Sequence, residues 1–468
     1  MSNFFFLLFV AIALSCGQLI TGDILIEDVN IIDIEKGIII YHQDVLINGN
    51  KISNIVDHGN TTIKSKTIVT GSGKFLMPGL WDMHLHTMRK EWYKNQFPLL
   101  RANGITGFRE MWGDLTIAKF VRPQIQKDSL PYFRFVASGH VLDGKMPFWD
   151  GSIAVASTEA ATVIVDSLIK DKSDFIKVYS FLEAEVFYAI ARRCKENGIP
   201  FAGHVPHAVL LTDASKSGMA SMEHLYGFLT EACTNSDSAM VLMRRSVKAF
   251  ESGNKEERKR IGLLYNALVL NNFSPTKLKR IARLLKRNNT YIVPTLSMLR
   301  GEYFTNDTAF VNNPTKKYMS KETLDYWNEV TASDLKRNTA LDWLNKRKRW
   351  LIEQQIMRIL ITEKVPIMAG TDADNPYAYP GFSLHDEMAL FVQLGMSPGD
   401  ALRSATIVPA KFLHINDSLG TVKKGKLADL LLLDQNPLEN IENSRKINAV
   451  NANGKLYSKG YINSVLQK

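Results

Sequence analysis

The chain has 468 residues, 45% hydrophobic and 22% charged, enough apolar material for one large domain with a satellite and too much for a disordered chain. Its formal net charge of +10 could mark a nucleic-acid partner, but the densest basic stretches, 277–287 and 336–349, argue otherwise. The first sets Leu278, Ile281, Leu284 and Leu285 on one helical face and leaves its cations on a solvated one, so no nucleic acid is expected as a partner.

Residues 4–14 form an unbroken apolar run, too short to span a bilayer comfortably, followed by Ser15-Cys16-Gly17-Gln18. The run reads as an export signal within residues 1–22, although no basic residue precedes it; a buried N-terminal strand is the alternative. Ala13-Leu14-Ser15-Cys16 also resembles a bacterial lipobox, which leaves acylation of Cys16 and plain cleavage both open. The expected location is periplasmic, extracellular or lipid-anchored to a membrane. No later run reaches the roughly 20 apolar residues of a spanning helix. Cys194 and Cys233 do not make a disulfide framework, and Cys194, inside a helix-like stretch, is expected as a buried free thiol.

Strand-like runs follow at 24–32, 45–47 and 51–56, with Asn48-Gly49 as a tight hairpin signal. At the far end, 430–433 and Asn453-Gly454 before Lys455-Leu456-Tyr457 repeat the pattern. Segments 23–76 and 418–468 are therefore predicted to build one small β domain, with 77–417 inserted between them. Inside the insertion, eight short apolar or β-branched runs lie near 80–86, 105–110, 133–138, 175–180, 201–204, 220–224, 291–295 and 367–372. They alternate with segments long enough for helices, the pattern of parallel βα units, and eight such units predict a closed (β/α)8 barrel. The fold class is thus α/β: a TIM barrel with a flanking β domain. Ser180 and Glu183 read as a capping box before a helix over 184–197 that ends at Gly198, and Ser397-Pro398 begins another. Segments at about 230–289 and 299–365 are longer than a crossover needs and are predicted as helical elaborations over the site.

The strongest local signal is Met77-Pro-Gly-Leu-Trp-Asp-Met-His-Leu-His86. Histidines at i and i+2 on a strand project to one side, so His84 and His86 can share a metal. His-x-His alone is weak, but further ligand types stand where other runs stop: His204, His224 and Asp372. Lys177 sits inside the apolar run Phe175-Ile-Lys-Val-Tyr179, where a lone lysine is an expensive core residue. His140 after the third run, Arg109 at the end of the second and Tyr226 after the sixth are candidate substrate contacts, with a loop histidine and paired groups inside the barrel mouth as alternatives. His207 reads as a supporting or surface histidine.

Pro-Gly-Leu-Trp-Asp-Met-His-Leu-His86, Phe-Ile-Lys-Val-Tyr179, Gly-His-Val-Pro-His207, Glu-His-Leu225 and Gly-Thr-Asp-Ala-Asp374 resemble the amidohydrolase superfamily, in particular its prolidase-like and imidazolonepropionase-related branch. The resemblance spans about 23–460 and includes Gly425-Lys-Leu-Ala-Asp-Leu430. It implies a β-sandwich beside the barrel and two divalent metal ions held by His84, His86, Lys177, His204, His224 and Asp372, with Lys177 carboxylated so that its carbamate bridges the metals. Imidazole and carboxylate donors suit zinc first, with manganese, cobalt or iron open. The implied reaction is hydrolysis of an amide in a dipeptide-like or acylated amino acid substrate, by a metal-bridging hydroxide with Asp372 as general base. Alternatives are a cyclic amidase or deaminase on the same scaffold, against which Lys177 weighs because mononuclear deaminases lack it, and a metal-binding surface protein without catalysis. Neither the substrate nor the oligomeric state is legible in these motifs.

Overall fold

The computed structural model describes residues 19–88, 92–127 and 129–467. The apolar run at 4–14 and Cys16 lie outside the described residues.

The chain opens with β1 (Ile20–Asp33), β2 (Ile38–Asn48), β3 (Lys51–Asp57), β4 (Ile63–Thr70) and β5 (Phe75–Pro78). These join the late strands β15 (Leu430–Leu433), β16 (Ile447–Ala452) and β17 (Lys455–Tyr457) in one sheet, in the order β17-β16-β15-β5-β1-β2-β3 with β4 also on β1. β1 can serve so many neighbours because it is long and irregular. One edge runs antiparallel to β2; the other pairs with β4 over Ile20 to Glu27 and with β5 at Asn30 and Ile31. The handover falls at a register shift near Asp28, whose φ is +53°. Both predicted Asn-Gly turns close hairpins, and Gly49 (φ +57°), Asn453 (φ +51°) and Gly454 (φ +80°) take the left-handed backbone that such turns need. Asn50 Nδ2 donates to Asn453 Oδ1 at 3.0 Å, tying the two hairpins together. Ile26, Val29, Ile31, Val45, Leu430 and Leu432 pack into one apolar cluster between the early and late strands.

The inserted segment is α/β with parallel sheets. β6 (Leu80–Leu85), β7 (Ile105–Glu110) and β8 (Arg134–Ala137) form one. β9 (Leu142–Asp143), β10 (Ile153–Ala154), β11 (Ile176–Val178), β12 (Phe201–Gly203), β13 (Ser221–Glu223) and β14 (Tyr291–Val293) form the other, in the order β10-β9-β11-β12-β13-β14. Seven of the eight predicted runs are therefore strands, and β9 and β10 are small additions inside the long connection after β8.

The eighth run, 367–372, is no regular strand; it makes only parallel bridges, from Ile367 to Ile292 and from Ala373 to Leu85. Its backbone donors are engaged out of ladder register. Thr371 N donates to Asp82 Oδ1 at 3.0 Å and Asp372 N to His84 O at 2.8 Å, while Asp372 itself has φ +57°. The segment still lies between β14 and β6, since Met368 N bonds Ile292 O and Met83 N bonds Ala369 O.

The predicted capping box at Ser180 does not form. Ser180 Oγ pairs with His204 Nδ1 at 2.9 Å instead, and the helix Ala184–Glu196 starts at Glu183 without a side-chain cap. Its end is as expected, with Gly198 at φ +63°, and Ser397 Oγ caps the helix Pro398–Ser404 through Asp400 N. The long connections hold the helices Ser236–Glu251, Lys255–Asn271 and Pro275–Arg287, and then Leu296–Tyr303, Lys321–Arg337 and Ala340–Thr362. Helix Pro275–Arg287 buries Leu278, Ile281 and Leu285 and turns its cations outward. Cys194 and Cys233 are buried free thiols. No helix among the described residues is long and apolar enough to cross a membrane.

Candidate metal centre

Five of the six predicted ligands sit on or just after parallel strands, and the sixth lies in the irregular segment beside β6. His84 and His86 come from β6, Lys177 from β11, His204 and His224 follow β12 and β13, and Asp372 is the sixth. Donor atoms of His84, His224 and Asp372 all lie within 4.8 Å of one another. Asp372 Oδ1 is 2.7 Å from His86 Nε2 and 3.4 Å from His84 Nε2, and its Oδ2 is 3.6 Å from His224 Nδ1. Lys177 Nζ is 3.4 Å from His84 Nε2. His204 stands at the rim of this group, its ring 4.7 Å from that of His224 and stacked at 3.8 Å on Tyr179.

This donor set fits divalent metal. Asp372 Oδ1 is buried against two imidazole nitrogens, those of His84 and His86, so carboxylate and imidazole ligand types converge on one point. The far nitrogen of His84 is fixed as a metal-binding histidine requires, Nδ1 donating to Glu223 Oε2 at 2.8 Å; His224 Nδ1, the nitrogen on the Asp372 side, meets Thr295 Oγ1 at 2.7 Å. His224, Thr295 and Asp372 all hold left-handed backbone, at φ +61°, +46° and +57°. Strain of this kind in non-glycine residues persists where the surroundings impose it.

Burial tunes the charges. It holds His84 and His204 far below the ordinary imidazole range, with Lys177 and His224 adding to the effect on both, and puts His224 at about 3. It also brings Lys177 down to about 8, against the pull of Glu223 and Asp372, so that a neutral amine is within reach near physiological pH. His86 goes the other way. Burial opposes its cation, but the hydrogen bond and charge of Asp372, with Glu110 behind, raise it to about 9.

A cleft of about 900 Å³ opens over these residues. His140 and Tyr226, expected as substrate contacts, both line it; His140 Nδ1 also donates to Gly151 O at 2.9 Å. Arg109 departs from expectation. It is buried, and its guanidinium is engaged by Met83 O, Ser221 Oγ and Glu223 Oε1, so it braces Glu223 behind His84 in place of facing substrate. His207 is half-buried beside Phe181.

Several supporting residues escaped the sequence reading: Glu223, Thr295, Asp82 and Glu387. Asp82 orders the eighth segment by accepting from Thr371 N and Oγ1, and burial lifts its carboxyl to about 7. Glu387 accepts from Leu296 N and Ser297 N, fixing the start of the helix that follows Thr295. A signal was present for two of them: Asp82 and Glu223 are carboxylates inside strand-like runs, two residues before His84 and directly before His224. Thr295 and Glu387 carried none.

Residues 75–457 match the amidohydrolase family. The chain belongs to that family. Membership makes it a hydrolase of carbon–nitrogen bonds, from a family that generally binds divalent metals. Among solved structures, this amidohydrolase is similar to a Xaa-Pro dipeptidase with methionine bound in its active site (TM-score 0.66, 20% identity, covering 93% of this chain and 99% of that one). It is also similar to a bottromycin amidohydrolase (TM-score 0.71, 21% identity, 94% and 88% covered) and to ochratoxinase of A. niger (TM-score 0.63, 18% identity, 93% and 95% covered). At these identities the likeness is one of fold. No curated protein matches the chain.

Proposed function

We propose that this amidohydrolase cleaves an amide bond in a peptide-like or acylated amino acid substrate, using two divalent ions, zinc first, held by His84, His86, Lys177, His204, His224 and Asp372. The observation that carries the reading is the buried carboxylate of Asp372, one oxygen of which faces the nitrogens of both His84 and His86. When bound, the metals would supply Lewis acidity to a water and to the substrate carbonyl. The protein's own groups do the rest. Asp372 takes the proton of the attacking water at its carboxylate and returns it to the leaving nitrogen. Glu223 and Thr295 hold the rings of His84 and His224 in one orientation. Tyr226 and His140 line the cleft where a carbonyl would lie. Lys177, drawn towards its neutral form, would add carbon dioxide at Nζ, an N–H bond breaking as its proton leaves to solvent, and the resulting carbamate anion would offset the charge of two dications.

The proposal extends to architecture. The parallel strands close into a (β/α)8 barrel over 77–417, supported by the bonds that join 366–373 to β14 and β6 and by Asp174 N to Ala137 O between β8 and β11. Segments 23–76 and 418–468 form a β-sandwich, supported by the cluster their strands share. The apolar run at 4–14 supports export, with Cys16 as the residue an acyl chain would occupy.

The deciding experiment is metal analysis of purified protein followed by hydrolysis of a dipeptide and acyl-amino-acid library before and after chelation. Stoichiometric metal with chelator-sensitive amide cleavage is expected; metal-independent cleavage, or metal-loaded protein inert to the whole library, overturns the reading.

A further inference from the structure

The protein carries a net charge of +10, yet the charged groups lining its cleft are mostly acidic among the described residues. Beyond the ligand cluster, Asp114, Asp150, Glu302, Glu322, Asp334 and Asp374 line it, and among the described residues Arg337 is the one lysine or arginine besides Lys177 to do so. Arg337 is already committed to an ion pair with Asp334.

Glu302 is joined to the ligand cluster through its helix. It lies near the end of the helix Leu296–Tyr303, whose start Glu387 pins beside Thr295, the partner of His224. Among the described residues its carboxylate has neither a hydrogen bond nor an ion pair. The cations nearby are engaged elsewhere: Lys346 Nζ donates to the backbone oxygen of Glu302 at 3.1 Å and pairs with Asp334 at 3.5 Å, and Arg349 donates to Asn266 Oδ1 at 3.1 Å. The side chain is open to solvent on the cleft wall, yet the surrounding protein pushes its carboxyl above the ordinary range, partly offset by Arg349 and Lys346. Its charge also reaches the phenols of Tyr226 and Tyr179, whose rings lie 5.0 Å and 3.8 Å from that of His204. A carboxylate on the wall of a cleft, with no direct ion pair, attracts cations to that cleft.

We infer that Glu302 determines specificity by receiving a positively charged group of the substrate, an ammonium or guanidinium, while the scissile amide lies over the His84, His224 and Asp372 cluster. Trp149 and Tyr226, which line the same cleft, add aromatic faces that suit a cation. The inference rests on the amide-hydrolase reading and narrows its substrate class.

The test uses the full metal-loaded protein and matched dipeptide pairs: lysine against norleucine for a side-chain cation, and a free against an acetylated amino terminus for an α-ammonium. At least one charged member is expected to exceed its neutral partner about tenfold or more in kcat/KM, the scale of one hydrogen-bonded charge. That ratio is expected to fall towards one in Glu302→Gln and to invert in Glu302→Lys. Binding of the same pairs is read by calorimetry in Asp372→Asn protein, with and without Glu302→Gln. Hydrolysis without charge preference, or a preference untouched by Glu302→Gln, overturns the inference and leaves the hydrolase reading standing. Charge-selective binding that needs Glu302, with no amide cleaved, does the reverse.

Discussion

Glu223 links two buried cation-forming side chains, accepting from His84 Nδ1 at 2.8 Å on one carboxylate oxygen and from Arg109 at 2.9 Å on the other. The orientation of His84 is thus set from β7 and β13 as well as from its own strand. Glu223→Gln keeps the shape and one acceptor but removes the charge that opposes Arg109. Loss of such a partner typically weakens metal affinity about 10- to 100-fold. Competition against a chromogenic chelator is expected to show a drop of that size with the far-ultraviolet circular dichroism unchanged; unchanged affinity refutes the orienting role.

Asp372 is expected to matter more for turnover than for metal retention, because five other proposed ligands would remain. Asp372→Asn keeps one ligating oxygen but takes no proton, and loss of a positioned base lowers rate about 10²- to 10⁴-fold. Metal content near wild type with kcat reduced in that range is the expected result. Retention of most of kcat with metals bound would shift the proton-transfer role to His140.

Lys177→Ala is expected to lower both metal content and activity, with partial return of each on adding formate, which supplies the lost carboxylate-type oxygens. Mass spectrometry of the native metal-loaded protein is expected to show a gain of one carbon dioxide at Lys177. An unmodified lysine beside a fully loaded two-metal site would end the bridging role.

Removal of metal exposes a proton balance. In the metal-free protein His86 is held protonated by Asp372 and Glu110, with a pKa near 9 against an ordinary 6.5. Because the folded value is the higher, this pair's stabilisation is fully present below about pH 6.5 and is lost as the pH rises through 9. Metal ligation requires the neutral ring, so loading between those limits is expected to release His86's proton. Calorimetric metal titration in buffers of different ionisation enthalpy measures this release, and His86→Gln is expected to reduce it by about one proton. No buffer dependence between pH 7 and 8 would contradict the assignment.

The sequence by itself determined the alternation of strands and helices, the Asn48-Gly49 and Asn453-Gly454 hairpins, and the residues that end each parallel strand. Periodicity, turn chemistry and the cost of polar groups in apolar runs are local properties, legible wherever a few neighbours decide them. Tertiary structure alone decided what each polar group faces. Ser180 looked like a helix cap because Glu183 lay three residues on, but His204, from the next strand, claimed its hydroxyl. Arg109 looked like a cleft residue because it ended a strand, but Glu223, distant in sequence, drew it inward. The run at 367–372 looked like a strand, but the carboxylate of Asp82 took a backbone donor that a ladder would have used. In each case the partner lies on another element, and a buried donor or acceptor must be satisfied by whatever the fold brings within reach.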